Sequence, residues 1–200
     1  MTGQQPTDEE LMLAYQGGSK GAFEELFARY RTRLFNYLRR SLGDSVQAED
    51  LLQTLFLRVH RARETYEPSA AFSTWIYTIA RNLVRDALDK ERGEIARKVI
   101  MRKSQRETDE ESVPAEERIA AEHTAPETKL QQKEIATRLQ QALLSLSLEQ
   151  REIILLSKYE ELSFSEIAAV LGCSVTAAKV RAFRALKALR SMLGNVKELC

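Results

Sequence analysis

Cysteine is scarce: Cys173 and Cys200 are the only two, and they stand far apart. They offer neither a disulfide framework nor a metal site, and the chain reads as a protein of the reducing cytoplasm. Histidine is as rare, with His60 and His123 isolated from each other. No Ser/His/Asp set, metal-ligand spacing or glycine-rich phosphate loop is present, so no catalytic residue, metal or cofactor is expected. No apolar run approaches the ~20 residues of a membrane-spanning helix, and membrane insertion is not expected. The polar, acidic start MTGQQPTDEE lacks the basic residues and apolar stretch of a signal peptide.

Glycine and proline, 8 and 4 residues of 200, leave long uninterrupted stretches, and in these the apolar residues recur at helical spacing. Ala22, Phe23, Leu26, Phe27, Tyr30, Leu34 and Leu38 form one stripe; Leu51, Leu52, Leu55, Phe56 and Val59 form a second; Trp75, Ile76, Ile79, Ala80 and Leu83 a third. Helix starts are marked by Thr7 with Glu10 as a capping box, by Ser19, and by Asp44 or Ser45. Nothing alternates with a period of two, so no strand is expected. The fold class is all-α. Residues 5–92 form a small helical bundle, 93–128 a flexible charged linker, and 129–195 a second helical domain. The linker has prolines, many charges and no aromatic residue over KSQRETDEESVPAEERIAAEHTAPETK, too little apolar surface to offset its ordering entropy. A short helix around AEERIAAEH is compatible with it.

The net charge is only +1, but its distribution is uneven. Ser174 to Lys197 holds six bases and no acid, whereas Glu107 to Glu127 holds eight acids against Arg118 alone. Segregation on that scale suggests separate surfaces for separate partners.

The C-terminal stretch LSFSEIAAVLGCSVTAAKVRAFRALKALR combines a Ser163/Glu166 capping box, a glycine turn at Gly172 and a second cap at Ser174. Two helices joined this way make a helix-turn-helix, whose second helix enters the DNA major groove. Thr176, Lys179 and Arg181 then face the groove, and Arg184 and Lys187 reach phosphates. The alternative is a helical hairpin whose basic face is merely solvated. Cys173, in the turn, reads as a small buried residue.

In the N-terminal unit, GDSVQAEDLLQTLFLRVHRA puts Asp50, Gln53, Thr54 and Leu57 opposite its buried face, with Glu49 near them. Acids early in a helix complement its dipole; equally, they can form a docking surface for a basic partner. Further on, AAFSTWIYTIARNLVRD sets Phe72, Trp75 and Tyr77 beside Arg81, Asn82 and Arg85. Phe72 reads as a loop residue ahead of a helix capped by Ser73 or Thr74, and Trp75 as part of the core stripe. The Phe72 ring serves either as a staple against that helix or as a platform for an unstacked base, with Asn82 at base edges and the arginines at phosphates.

Taken in order, FEELFARYRTRLFNYL, AEDLLQTLFLRVHRA, FSTWIYTIARNLVRD and the helix-turn-helix resemble the extracytoplasmic-function group of bacterial sigma factors, within the sigma-70 family. The resemblance covers about residues 10 to 92 and 130 to 193. It implies a transcription initiation factor without catalysis that binds core RNA polymerase through the β′ clamp helices and the β flap. Glu49, Asp50, Gln53 and Phe56 match the clamp-binding segment, from which Thr54 departs where an acid is common. Phe72, Ser73, Thr74, Trp75, Arg81, Asn82 and Arg85 match the segment that recognises and melts the −10 element. Ser174, Thr176, Ala177, Lys179, Arg181 and Arg184 match the −35 reader, although Ala177 and Ala178 stand where many relatives carry larger side chains. The resemblance further implies promoter DNA and an anti-sigma factor as partners, and a linker that threads the polymerase. Two rival readings are a dimeric helix-turn-helix regulator, for which no dimerisation seam is evident, and a helical scaffold whose basic end binds an acidic partner.

Overall fold

The structure, a computed structural model, describes residues 5–104 and 126–194, with side chains over 5–97 and 134–194. Eight α-helices run through the described residues, and no strand occurs among them: α1 (Asp8–Gln16), α2 (Lys20–Leu42), α3 (Ser45–Ala62), α4 (Phe72–Ser104), α5 (Pro126–Ser145), α6 (Leu148–Ile154), α7 (Phe164–Leu171) and α8 (Val175–Leu193).

Most boundaries follow from local chemistry. The Thr7 hydroxyl accepts from the Glu10 N–H at 3.2 Å, and the Glu10 carboxylate accepts from the Thr7 N–H at 2.8 Å, closing the capping box of α1. Ser19 caps α2, and Asp44 caps α3 by accepting from the Val46 and Gln47 N–H groups. Gly43 ends α2 in the left-handed region at φ 83, where a side chain is strained. A Cβ there would also stand 2.8 Å from a methyl of Leu144, whose side chain would have to shift.

The start of α4 departs from the sequence reading. Phe72 is its first residue, not a loop residue, and neither Ser73 nor Thr74 precedes it as a cap. The Phe72 N–H instead donates to Glu9 Oε1 at 2.6 Å, a carboxylate 63 positions earlier on α1. An anionic acceptor at a helix N-terminus satisfies an orphan donor and complements the dipole. At its far end α4 continues through residues 93–104, which composition assigned to the linker; apart from Gly93, that stretch favours helix. At the other end of that linker, residues 126–128 already belong to α5; residues 105–125, with the short helix expected around AEERIAAEH, lie outside the described residues.

The two units pack against each other, α4 on α7 and α2 on α5, and their buried side chains form one continuous core. Arg151 of α6 joins them from inside. Its Nε–H donates to the Leu143 carbonyl at 3.0 Å and its Nη2 to that of Leu144 at 2.7 Å, both in the last turn of α5, while Nη1 donates to the Ser41 carbonyl at the end of α2. One guanidinium thereby caps two helix C-termini. After α6 the helix widens into a single π turn, Leu155–Tyr159, closed by the Glu160 N–H donating to the Leu155 carbonyl at 3.1 Å.

Candidate functional site

Three surfaces gather the residues singled out by sequence. The first is a groove of about 1490 Å³ between α2 and α3. Glu49, Gln53, Leu57 and the edge of Phe56 line one wall, and Phe23 and Phe27 line the other. The rings hold each other in place: Phe27 and Phe56 lie 4.7 Å apart, and Phe23 meets Phe56 edge-on at 6.2 Å. Leu57, 56% exposed, stands at the rim. Asp50 is exposed but lies beyond this groove, on the side of α3 that faces α4, so Glu49, Asp50, Gln53 and Phe56 do not share one wall.

Sequence periodicity put Phe23 and Phe27 in one stripe with Ala22, Leu26, Tyr30, Leu34 and Leu38. In the structure Ala22, Leu26, Tyr30, Leu34 and Leu38 fill the core, and Phe23, Phe27 and Phe35 form a second, half-buried stripe beside it. The signal was present in the width of the apolar face, broader than one packing partner covers.

The second surface is the N-terminal half of α4. Phe72 is 1% exposed, enclosed by Tyr30 at 5.2 Å, Trp75 at 5.5 Å and Tyr66 at 6.2 Å. In this state its ring is core rather than an open platform. Trp75 is half-buried against Tyr66 at 5.1 Å, and Thr74 is buried. Three polar members of the set, Ser73, Arg81 and Arg85, turn toward the C-terminal unit. Ser73 Oγ donates to Glu166 Oε1 at 2.7 Å; Arg81 Nε and Arg85 Nε donate to the Glu152 carboxylate at 3.3 and 3.2 Å. Asn82 alone of the set is exposed.

Beside these contacts, the Tyr77 hydroxyl donates to Glu160 Oε2, and Arg33 donates to the same carboxylate at 3.3 Å and to the Glu160 carbonyl at 2.8 Å. Burial pushes the Glu160 carboxyl above its ordinary value despite the Tyr77 and Arg33 hydrogen bonds. Burial, reinforced by Glu160, likewise holds the Tyr77 phenol far above its usual range. Tyr77 therefore remains the donor. Glu166 shifts the other way: burial raises it, but hydrogen bonds from Ser163 and Ser73 outweigh that effect.

The third surface is α8. Ser163 and Glu166 close the capping box of α7, Gly172 turns the chain at φ 64, and the Ser174 hydroxyl accepts from the Ala177 N–H at 3.1 Å. Thr176, Lys179 and Arg184 are exposed, Ala177 and Arg181 half-buried, and Ala178 is locked into the core. The basic face anticipated from sequence is thus open to solvent, with Ser174 in use as a cap. Cys173 is half-buried.

A helix-turn-helix with an open basic face, tied to a second helical unit that carries an aromatic groove, points to known families. The family models that match are Sigma-70 region 2 over residues 26–94 and Sigma-70 region 4 over residues 136–189. The chain is 38% identical over 93% of its length to the RNA polymerase sigma factor CarQ of Myxococcus xanthus, of which it covers 97%. It belongs to the extracytoplasmic-function sigma factors. The ECF sigma factor SigW of Bacillus subtilis is 29% identical over 90% of this chain and 92% of its own. Among solved structures, CnrH in complex with the cytosolic domain of CnrY matches with a TM-score of 0.67 at 23% identity, covering 95% of this chain and 99% of that one. That likeness speaks for the fold.

As a sigma factor the chain binds core RNA polymerase and directs it to promoters, with α2 to α4 as region 2 and α5 to α8 as region 4. Among the described residues no helix is long and apolar enough to cross a membrane.

Proposed function

We propose that this sigma factor, acting in the cytoplasm and without catalysis of its own, divides promoter recognition between its two units. α8 reads the −35 element in the major groove through Thr176, Ala177, Lys179 and Arg181, with Arg184 on phosphate and Ser174 as the cap that aims the helix. α4 melts and reads the −10 element through Phe72, Ser73, Thr74, Trp75, Arg81, Asn82 and Arg85. Glu49, Asp50, Gln53 and Phe56 of α3 dock on the β′ clamp helices, and region 4 on the β flap. The linker threads the polymerase, and an anti-sigma factor restrains the chain. The observation that carries the reading is the exposed, acid-free face of α8, delivered by a glycine turn and a serine cap. Phosphate contacts on such a face set affinity and register, and base contacts near its N-terminus set sequence.

The test is run-off transcription from a randomised promoter pool with bacterial core polymerase, with and without the chain. Transcripts appear only with the chain, and disappear with Asp50→Lys or Lys179→Glu. Duplex binding unaided, with no dependent transcripts, would replace this reading with that of a simple regulator.

A further inference from the structure

The chain that leads from α3 into α4 is exposed and has little of its own to hold it. After a 3-10 turn over Arg63–Thr65, five exposed residues, Glu67 to Ala71, lie between the buried rings of Tyr66 and Phe72. Within them one backbone hydrogen bond forms, from the Ser69 N–H to the Glu67 carbonyl at 2.8 Å, and only Pro68 has a fixed φ. A loop so exposed and so sparsely bonded does not set its own geometry. Both its ends are nevertheless fixed, and α1 holds them. On the entry side Gln16 Nε2 donates to the Glu64 carbonyl at 3.1 Å and to the Tyr66 carbonyl at 3.3 Å. On the exit side Glu9 Oε1 accepts from the Phe72 N–H. Glu9 and Gln16 are two helical turns apart, which sets them on one face of α1 about 10 Å from each other.

α1 can act as a brace because it is itself anchored. Leu11 and Met12 are buried, and Asp8 accepts from Arg29 Nη1 at 2.7 Å and from the Tyr30 hydroxyl at 2.5 Å, both on α2. What it braces is the aromatic group at the start of α4. Trp75 rests on Tyr66 at 5.1 Å, and Phe72 lies 6.2 Å from the same ring. The Tyr66 hydroxyl is buried and finds no hydrogen-bond partner among the described residues. That ring is therefore oriented by its backbone and by packing alone, and Gln16 holds the backbone.

Resting on the reading of α4 as the −10 reader, we infer that Glu9 and Gln16 are positioning residues for −10 recognition. Neither needs to touch DNA. Together they hold the loop and the first turn of α4 in the register that presents Phe72, Ser73, Thr74 and Trp75 to the strand. α1 lies outside residues 26–94, the span of the region 2 match, yet it belongs to the promoter-reading apparatus.

The test uses holoenzyme reconstituted from bacterial core polymerase and the full chain. Its affinity for a single-stranded oligonucleotide carrying the −10 sequence selected from the randomised pool is divided by its affinity for a scrambled strand. Loss of folded chain lowers the active fraction in both titrations and leaves this ratio unmoved. Loss of an acidic charge strengthens binding to either strand alike, which the ratio also cancels. Glu9→Ala and Gln16→Met, each without its hydrogen bond to the loop, lower the ratio about tenfold. Glu9→Gln keeps an acceptor and holds the ratio within about threefold of the unmodified chain. Asn82→Ala, at an exposed position of α4, checks the underlying reading, since it lowers the ratio without involving α1. If it does so while Glu9→Ala or Gln16→Met keeps the full ratio, the brace is overturned and the −10 assignment stands. A Glu9→Gln ratio as low as that of Glu9→Ala overturns the brace too. If Asn82→Ala leaves the ratio intact, α4 is not the −10 reader and the brace falls with it.

Discussion

Replacing Glu9 by alanine removes an acceptor from the first N–H of α4, the helix proposed to melt promoter DNA. The bond is short, 2.6 Å between Glu9 Oε1 and the Phe72 nitrogen, and half-buried. Loss of an N-terminal cap costs about 0.5 to 2 kcal/mol, and an anion near the helix dipole adds roughly 0.3 to 1 kcal/mol. The Phe72 ring, 1% exposed, shields that end of the helix from replacement water, so the upper half of the cap range applies. Glu9→Ala is thus expected to cost about 2 kcal/mol, and Glu9→Gln, which keeps an acceptor, about half that. Urea unfolding followed by far-ultraviolet dichroism gives both values, and amide exchange at Phe72 gives the local one. The exchange rate at Phe72 should rise in the alanine variant well before residues in mid-helix respond. Equal stabilities for wild type and both variants, within about 0.3 kcal/mol, would refute the long-range cap.

Gly43→Ala combines a left-handed φ with a Cβ at 2.8 Å from Leu144, and is expected to destabilise by about 1 to 3 kcal/mol; adding Leu144→Ala should relieve the clash but not the strain, so the double variant is non-additive in denaturation. Arg151→Met strands the Leu143, Leu144 and Ser41 carbonyls and should cost roughly 3 kcal/mol or more in the same assay. Lys179→Glu, on an exposed face, should leave stability within about 0.5 kcal/mol while abolishing transcription from promoters with a −35 element. Burial raises the Glu160 carboxyl, with Tyr77, Arg33 and Arg40 facing it. Its contribution is therefore whole below the ordinary carboxylate value of about 4.3 and fades as pH rises through the raised one. Glu166, held low by Ser163 and Ser73, instead loses its contribution as pH falls through the lowered value. Wild-type stability measured against Glu160→Gln should accordingly decline with rising pH above the ordinary value, and a constant difference would contradict the shift.

Local signals carried far in this chain. The boxes Thr7/Glu10 and Ser163/Glu166 and the caps Ser19, Asp44 and Ser174 were legible because each joins residues two or three positions apart, and the structure forms every one. The order of the four motifs sufficed for the family, which both matching models bear out. The start of α4 was not legible, because Glu9 lies 63 positions away from Phe72. That Phe23 and Phe27 stay half-buried was not legible either, because periodicity marks an apolar face without saying how much of it a neighbour covers.

Glu152 and Glu160 make the same point more strongly. In the sequence they are two acids before and after a hydrophobic run, indistinguishable from solvated charges. Only the packing of α2 and α4 against the C-terminal unit sets Arg33, Tyr77, Arg81 and Arg85 around them. By itself the sequence determined helix content, caps, the helix-turn-helix and the basic face of α8, since these arise from contacts within a turn or two of helix. The tertiary structure alone decided what the residues proposed to read the −10 element touch. Those contacts join positions roughly seventy to ninety apart, and no local propensity can encode a pairing at that distance.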